Sequence, residues 1–423
     1  MKKLFCALFA MVALLVFGAA AGAADFSASG SYYAVGYYDN NHTLQKGAGA
    51  SSAFYAQRLR VAPVFQVVEG LTLNARFDAL EKVWGNDGWV GGDQENISWD
   101  RAFVTFMTKI GKFDVGYQAG GNVWGTTFGD TTLDRGRVKF TTKVKDVILV
   151  LVTEKEAEGD IGTAEADADY DNYMIATVYR TDWGNAGLLW KYVNDDTLSG
   201  SFPFFKQKGH IFSPYVKANL GPTYLEAQIY YAFGEIKMEE ESAALGAKDI
   251  DISNWSWYLM GKYDFGPAYV GAMYAYTSGD DPDTADEVEG GLLVGGEDWD
   301  PCLILWNDNL NKWMGDLGYV AGSQTDDSMT NASLYQLFCG AAPMEKLSLT
   351  ASFTYARANE KQGRLDADYG QEIDITASYK LYDNLDYMVG FGYLMTGDWY
   401  KGAGTTNEID DDYLLLNKLT LNF

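Results

Sequence analysis

The stretch Tyr413-Leu-Leu-Leu-Asn-Lys-Leu-Thr-Leu-Asn-Phe423 decides the fold. Counted back from Phe423, Leu421, Leu419, Leu415 and Tyr413 share one parity, while Lys418, Thr420 and Asn422 share the other. Side chains of a strand alternate between its two faces, so one side of this segment suits lipid and the other water. Asn417 breaks the apolar parity. A strand of roughly nine residues is long enough to cross a bilayer, and an aromatic residue at its tip suits the membrane–water boundary. A soluble edge strand could end the same way, so the rest of the chain has to agree.

The N-terminus agrees. Lys2 and Lys3 precede an apolar run from Leu4 to Phe17 and the small-residue stretch Ala19 to Ala24. This is the layout of a secretory signal peptide over residues 1–24, with one domain expected over 25–423. Cys6 lies inside the apolar run, too early for a lipid-anchored cysteine. Beyond the leader no apolar run approaches the roughly 18 residues of a membrane helix, the longest being Val147 to Val152. Composition points to strands: 46 Gly, 29 Tyr, 22 Phe and 12 Trp stand against 8 Pro. Alternation averages lipid-facing and water-facing positions, which accounts for a mean hydropathy of −0.18 with 47% apolar residues. The formal charge is −26 with Lys2 and Lys3 counted, hence near −28 without them, which excludes nucleic acid as a natural partner. Cys302, Cys339, His42 and His210 are the remaining cysteines and histidines, with no haem-attachment or zinc spacing and no Ser/His/Asp constellation; neither cofactor, metal nor enzymatic activity is expected. A Cys302–Cys339 disulfide is permitted outside the cytoplasm, but Cys339 reads as low on a strand and Cys302 as part of a long loop.

Turn signals divide the chain into alternating short and long connections. Tight turns are expected near Glu69-Gly70, Ile110-Gly111, Lys145-Asp146, Trp183 to Asn185, Leu220 to Pro222, Phe265 to Pro267, Pro343 to Glu345 and Tyr382 to Asn384. Nine longer polar segments lie between them, at 39–50, 85–96, 120–134, 156–169, 195–208, 239–250, 279–330, 358–370 and 396–411. These connections join eighteen strands into an all-β, transmembrane, up-and-down antiparallel barrel, with both termini on the periplasmic side and the long loops outside. Merging one weak hairpin gives sixteen, the least secure strands being 112–119 and 186–194.

Several strands assign their own faces. Leu347, Leu349, Ala351, Phe353 and Tyr355 oppose Ser348, Thr350, Ser352 and Thr354; Ile373, Ile375, Ala377, Tyr379 and Leu381 oppose Glu372, Asp374, Thr376, Ser378 and Lys380. Leu225, Ala227, Ile229, Tyr231 and Phe233 oppose Glu226 and Gln228. The polar face is too polar for the dry core of a sandwich. Tyr263, Phe265 and Tyr269 beside one turn, and Tyr379, Tyr382 and Tyr387 beside another, read as an interfacial girdle.

The same parity puts a basic strip on the water side. Arg58, Arg60, Arg76, Arg135, Arg137 and Lys139 point inward with Asp78; Arg101 has ambiguous parity but belongs nearby. Strands about 4.8 Å apart would make one contiguous patch of these. It reads either as a selectivity wall that attracts anionic groups or as charges that any wide lumen carries, neutralised by Asp78, Glu81 and Asp100. Glu226, Glu372 and Asp374 join the pore lining. The segment 279–330 is too long for a simple hairpin loop. It holds Asp280, Asp281, Asp283, Asp298 and Asp300 and ends in the apolar Cys302 to Trp306, which implies docking against the barrel wall. Its acidic part is placed either across the pore from the arginines or simply in solvent, and its clustered carboxylates are also a candidate for calcium, although they lack EF-hand spacing.

These residues carry a resemblance. Arg58-Leu59-Arg60 with the strand Leu71 to Phe77, the stretch Asp100-Arg101-Ala102-Phe103-Val104, the loop Trp124-Gly125-Thr126-Thr127-Phe128-Gly129-Asp130, and Ser278-Gly279-Asp280-Asp281 resemble Gram-negative outer-membrane porins of the eighteen-stranded kind, particularly the alginate-export-like group and porins of sulfate- and metal-reducing bacteria. The resemblance implies that Arg58, Arg60, Arg76 and Arg101 contact anions. The acidity and the long irregular loop depart from a dedicated polyanion exporter. The expected function is a porin integral to the outer membrane, passing small hydrophilic or charged solutes by passive diffusion and contacting lipid and lipopolysaccharide, with a homotrimer as one assembly. The alternatives are a barrel that sleeves a cytochrome as an electron conduit and a polysaccharide-export channel.

Overall fold

The computed structural model describes residues 25–48, 51–85, 97–120, 124–127, 134–159, 168–197, 205–293, 299–307, 325, 328–404 and 407–423. The expected leader and the middles of several long loops, Asp298 included, lie outside these residues. The strands are β1 (Asp25–Asp39), β2 (Ser52–Val68), β3 (Leu71–Val83), β4 (Ile97–Met107), β5 (Lys112–Ala119), β6 (Asp134–Val144), β7 (Val147–Ala157), β8 (Tyr170–Thr181), β9 (Gly184–Asp195), β10 (Phe205–Leu220), β11 (Thr223–Met238), β12 (Ile250–Asp264) and β13 (Ala268–Thr277). After three two-residue pieces, β14 (Glu287–Val288), β15 (Leu292–Leu293) and β16 (Met329–Thr330), come β17 (Ala332–Met344), β18 (Leu347–Ala358), β19 (Asp368–Tyr382), β20 (Leu385–Thr396) and β21 (Asp412–Asn422).

The eighteen long strands pair antiparallel with their neighbours in sequence, β13 passing directly to β17. The ring closes where β1 meets β21, Ser31 opposite Asn422 through Asp39 opposite Leu414. The count is eighteen, not sixteen, and both weakly signalled strands, β5 and β9, are present. Every expected tight turn falls at a junction of consecutive strands, some overlapping the strand ends by one or two residues. Gly70 and Gly266 take φ of +77° and +98° there, a conformation that carries a steric penalty for a side chain with Cβ.

The outward row of each strand is apolar and uncovered: Ile375 is 51% exposed, Leu259 48% and Leu337 63%, while Glu372 and Thr354 on the inward rows are fully buried. Such a surface needs lipid around it, and a closed ring satisfies every strand's backbone groups within it. Tyr263 and Phe265, with ring centroids 4.9 Å apart, mark the edge of the apolar belt at the turn end. At the loop end Trp255 stacks on Tyr231 at 3.9 Å and Trp257 on Tyr276 at 4.0 Å. His210 belongs to this outer girdle, packed among Trp190, Tyr192 and Phe233. No helix among the described residues is long and apolar enough to cross a membrane.

The permitted Cys302–Cys339 disulfide is not formed: both are free thiols, the first buried and the second exposed on the outward face of β17. One expectation needs correction, for the inside is not polar throughout. Leu414 and Leu416, on the inward parity of the last strand, are buried with Val35, Tyr37, Leu44 and Leu394 against Leu303 to Trp306 of the long loop. The lumen therefore has a charged wall along β2–β7 and a dry wall around the closing seam. Replacing outward Ile375 by Arg is expected to destabilise the barrel by about 2–4 kcal/mol, the range for a cation at mid-membrane, measured by denaturant unfolding in lipid vesicles.

Candidate functional site: an ion-paired wall facing two inward-folded segments

The charged wall depends on two bulges. In β3 the register against β2 slips between the pairs Gln57–Lys82 and Leu59–Ala79. Leu80 takes φ of +51° and turns its side chain outward. The extra residue lets Asp78 and Glu81, three apart, both face inward, although strict alternation would separate them. In β4 a slip between Arg76–Arg101 and Phe77–Trp99 leaves Asp100 as the extra residue and brings it and Arg101 to the same side. This settles the parity of Arg101, which is inward.

All seven expected cations lie on this wall, and each meets a carboxylate. Arg60 forks onto Asp78 at 2.8 and 2.7 Å, and Arg58 reaches Asp78 at 3.8 Å and Glu81 at 3.5 Å. Arg76 bridges Asp100 at 2.9 Å and Asp134 at 3.0 Å, and Arg101 also pairs with Asp134. Arg135 pairs with Glu156, Arg137 with Glu154 at 2.6 Å, and Lys139 with Asp114 at 3.5 Å. Asn172 holds Glu154 and Glu156 together through 3.0 and 3.1 Å hydrogen bonds. The wall is thus a near-neutral mosaic rather than a bare basic strip. In three pairs the cation is the more exposed partner: the Arg60 side chain is 19% exposed over Asp78 at 6%, Arg101 17% over Asp134 at 12%, and Lys139 19% over Asp114 at 2%, whereas Arg76 at 9% lies below Asp100 at 14%, and Arg137 and Glu154 are both at 3%. At Arg60, Arg101 and Lys139, water in the lumen meets the cation first. Glu226 faces inward on another part of the wall, paired with Lys217 at 3.2 Å.

Across the lumen from β5 and β6, the segment Trp124–Thr127 docks on β10 and β11. Pro214 has no N–H to donate, and the β10–β11 register skips Ser213 and Pro214. The Ser213 carbonyl accepts the Trp124 indole N–H at 2.7 Å. Gln228 Oε1 takes the backbone N–H groups of Thr126 and Thr127 at 2.8 and 3.0 Å, and its amide donates to the Trp124 carbonyl at 2.7 Å. Gly125 has φ of +67°, and a Cβ there would stand 2.3 Å from Gln228 Oε1. Gly187 of β9 leaves the space that the Trp124 ring fills.

The second inward segment is 299–307 of the long loop. The apolar tail expected to dock does so: Trp299 packs edge-on to Tyr258, Trp306 meets Tyr369 with centroids 5.0 Å apart, and Leu303, Ile304 and Leu305 are buried. Glu372 Oε1 and Oε2 accept the N–H groups of Ile304 and Leu305 at 2.7 and 2.8 Å. Gln336 donates to the Pro301 carbonyl at 2.5 Å. Glu372 and Asp374 face inward as expected but lie beneath this segment, 0% and 6% exposed, so they anchor a loop instead of lining open water.

Among the described residues, the acidic run Asp280 to Glu289 does not stand across from the arginines. Glu287 and Val288 of β14 add in parallel to Asp251 and Ile252 of β12, and Gly291 bonds back to Ser278, holding residues 278–291 at the rim. Asp280 accepts the Glu289 N–H at 2.8 Å, and Asp281 caps Asp283 at 2.9 Å. Asp300 lies at the start of the docked segment. Parity reasoning missed Asp114, Asp134, Glu154 and Glu156 as partners of the basic strip, and Gln228 as the support of a crossing segment. The signals were a proline within an otherwise regular strand and a Trp-Gly-Thr-Thr run inside a polar loop.

No family model and no curated protein matches the chain. Solved structures are similar to it. Pseudomonas aeruginosa OccK9 (OpdG) superposes with a TM-score of 0.56 at 14% identity, covering 94% of this chain and 99% of that one. The BenF-like porin from Pseudomonas fluorescens Pf-5 gives 0.54 at 11%, covering 94% and 98%. Pseudomonas aeruginosa OccK2 (OpdF) in complex with glucuronate gives 0.53 at 12%, covering 94% and 97%. The likeness does not single out the alginate-export-like barrels expected from the sequence. At these identities it is one of fold, the eighteen-strand barrel of outer-membrane porins.

Proposed function

We propose that the chain is an outer-membrane porin through which small hydrophilic solutes diffuse passively, with carboxylates favoured along the wall carrying Arg60, Arg101 and Lys139. The observation that carries this reading is that Arg60, Arg101 and Lys139 are each more exposed than the carboxylate they pair with, on a wall opposite segments that narrow the lumen. A guanidinium held by one carboxylate keeps donors for a second one, so a passing anion finds a binding edge without a deep charge trap. Weak, repeated sites of this kind favour flux over retention. The glucuronate held by OccK2 is a carboxylated sugar of the size this reading requires. A sleeve around a cytochrome is less well supported, because the two docked segments occupy lumen that an inserted protein would need. Catalysis has no supporting constellation among the described residues, His210 being part of the lipid-facing girdle.

Purified protein in a planar bilayer is expected to open in ohmic steps. Changing Arg60 and Arg101 to Gln should move the reversal potential under a salt gradient toward the cation potential. A unit charge about 8 Å from a permeating ion in water contributes about 0.5 kcal/mol, or about two-fold in relative permeability per charge removed. An unchanged reversal potential would remove this wall from selectivity. Changing Gln228 to Ala frees two backbone N–H groups of the crossing segment and is expected to give larger, noisier single-channel currents; currents identical to those of the unaltered protein would show that the segment does not restrict flow.

A further inference from the structure

Beneath the docked loop lies a group of side chains that permeation does not use. Glu372 and Asp374, two residues apart on the inward face of β19, sit side by side with the thiol of Cys302 on the loop above them. One ligand atom from each residue lies within 4.8 Å of the other two, and all three side chains are buried. No ion pair to a basic side chain reaches either carboxylate among the described residues. Two adjacent carboxylates out of water, without a cation, are a strongly unfavourable arrangement. The buried carboxylates on the inner wall of β3–β7 each have a cation beside them, and another buried acidic pair, Asp39 and Asp412 at the seam, is held by the Tyr37 hydroxyl and the Asn41 N–H.

The surroundings orient the three groups toward a ligand. Glu372 is fixed by the N–H groups of Ile304 and Leu305, one on each oxygen. Asp374 Oδ2 takes the Ser352 hydroxyl at 3.1 Å, while the buried Oδ1 has no hydrogen-bond partner. Cys302 Sγ lies 3.4 Å from the Thr354 hydroxyl. Hydrogen bonds that orient carboxylate ligands in this way are the usual outer support of a metal centre. A tetrahedral ion with ligands at about 2.0–2.3 Å sets its ligand atoms about 3.3–3.8 Å apart, inside the 4.8 Å within which these three atoms lie. A thiolate among the ligands selects zinc-like ions over calcium or magnesium.

We propose that Cys302, Glu372 and Asp374 bind one divalent transition-metal ion, which cross-links the constricting loop to the barrel wall. Binding releases the thiol proton and any proton shared by the carboxylates, and the ion supplies the positive charge that the pocket otherwise lacks. The inference does not rest on which solute the pore passes.

The test uses the full-length barrel in detergent, stripped with EDTA and titrated with cobalt(II). A thiolate-to-cobalt charge-transfer band should saturate at one equivalent and be bleached by zinc. Cys302→Ser should abolish the band, and Asp374→Asn should weaken cobalt binding at least about tenfold, the usual effect of disturbing a metal site. Heat-modifiable gel mobility identifies folded barrels for each variant. If Asp374→Asn does not fold, the nearly isosteric Cys302→Ser still decides, with its expected loss of zinc competition against a chromophoric chelator. Absence of a charge-transfer band at one equivalent of cobalt, or zinc affinity unchanged in folded Cys302→Ser protein, would overturn the proposal in favour of a shared proton or of adventitious binding at the acidic rim.

Discussion

The pairing of Ser31 to Asp39 with Asn422 to Leu414 is the constraint on which the rest of the structure depends. In hydrocarbon an unpaired strand edge leaves a row of backbone donors and acceptors with no partner, each costing several kcal/mol. The first and last strands must therefore find each other, and everything between them must be a whole number of hairpins. This ring condition is what makes an insertion as long as 278–331 tolerable: β13 pairs with β17 as though the insertion were not there, Ala268 opposite Ala341. The insertion is then free to fold inward without disturbing the wall.

Closure fixes a lumen that eighteen strands leave too wide to discriminate among small solutes, and the protein narrows it by two different physical means. On one side it uses polarity. Gln228 is a single buried amide that satisfies three backbone groups of the crossing segment Trp124–Thr127. A donor or acceptor left unpaired there would cost about 1–3 kcal/mol. On the other side it uses the hydrophobic effect. Leu303, Ile304 and Leu305 remove their side chains from lumen water against Leu414 and Leu416, worth at most about 1.5–3 kcal/mol for each fully buried side chain. The polar anchor at Glu372 sets where the loop sits, and the apolar contacts hold it there.

The wall and its rims were legible in the sequence because alternation and turn chemistry are local. Leu347 to Tyr355 and Ile373 to Leu381 could be assigned to the lipid side from parity alone, and the tight turns from Gly, Pro, Asn and Asp. What failed to show was whatever broke the two-residue period or reached across the lumen. The bulges at Leu80 and Asp100 each insert one residue, which reverses parity downstream and joins Asp78 with Glu81 and Asp100 with Arg101. Leu414 and Leu416 sit on the nominally wet face of the last strand and are apolar because a loop more than a hundred residues earlier covers them. The acidic residues from Asp280 to Glu289 looked available to oppose the arginines, but a two-residue parallel addition to β12 holds them at the rim.

The balance of charge on the inner wall follows from the same geometry. An arginine whose side chain cannot leave a narrow lumen has only partial access to bulk water, so an unpaired ladder of seven cations would repel itself at the strand spacing of about 4.8 Å. Interleaving carboxylates on adjacent strands removes that repulsion, at the expense of the strong field a bare ladder would produce. What remains is set by depth. Asp114 lies at 2% side-chain exposure beneath Lys139 at 19%, and Asp78 at 6% beneath Arg60 at 19%, so at these two pairs the lumen meets a dipole with its positive end inward. The field of a dipole falls off faster than that of a charge and is screened within about 8 Å at physiological salt. Such a wall acts most strongly on solutes that touch it and only modestly on ions further away, which makes discrimination among solutes depend on how closely the two docked segments press a solute against the arginines.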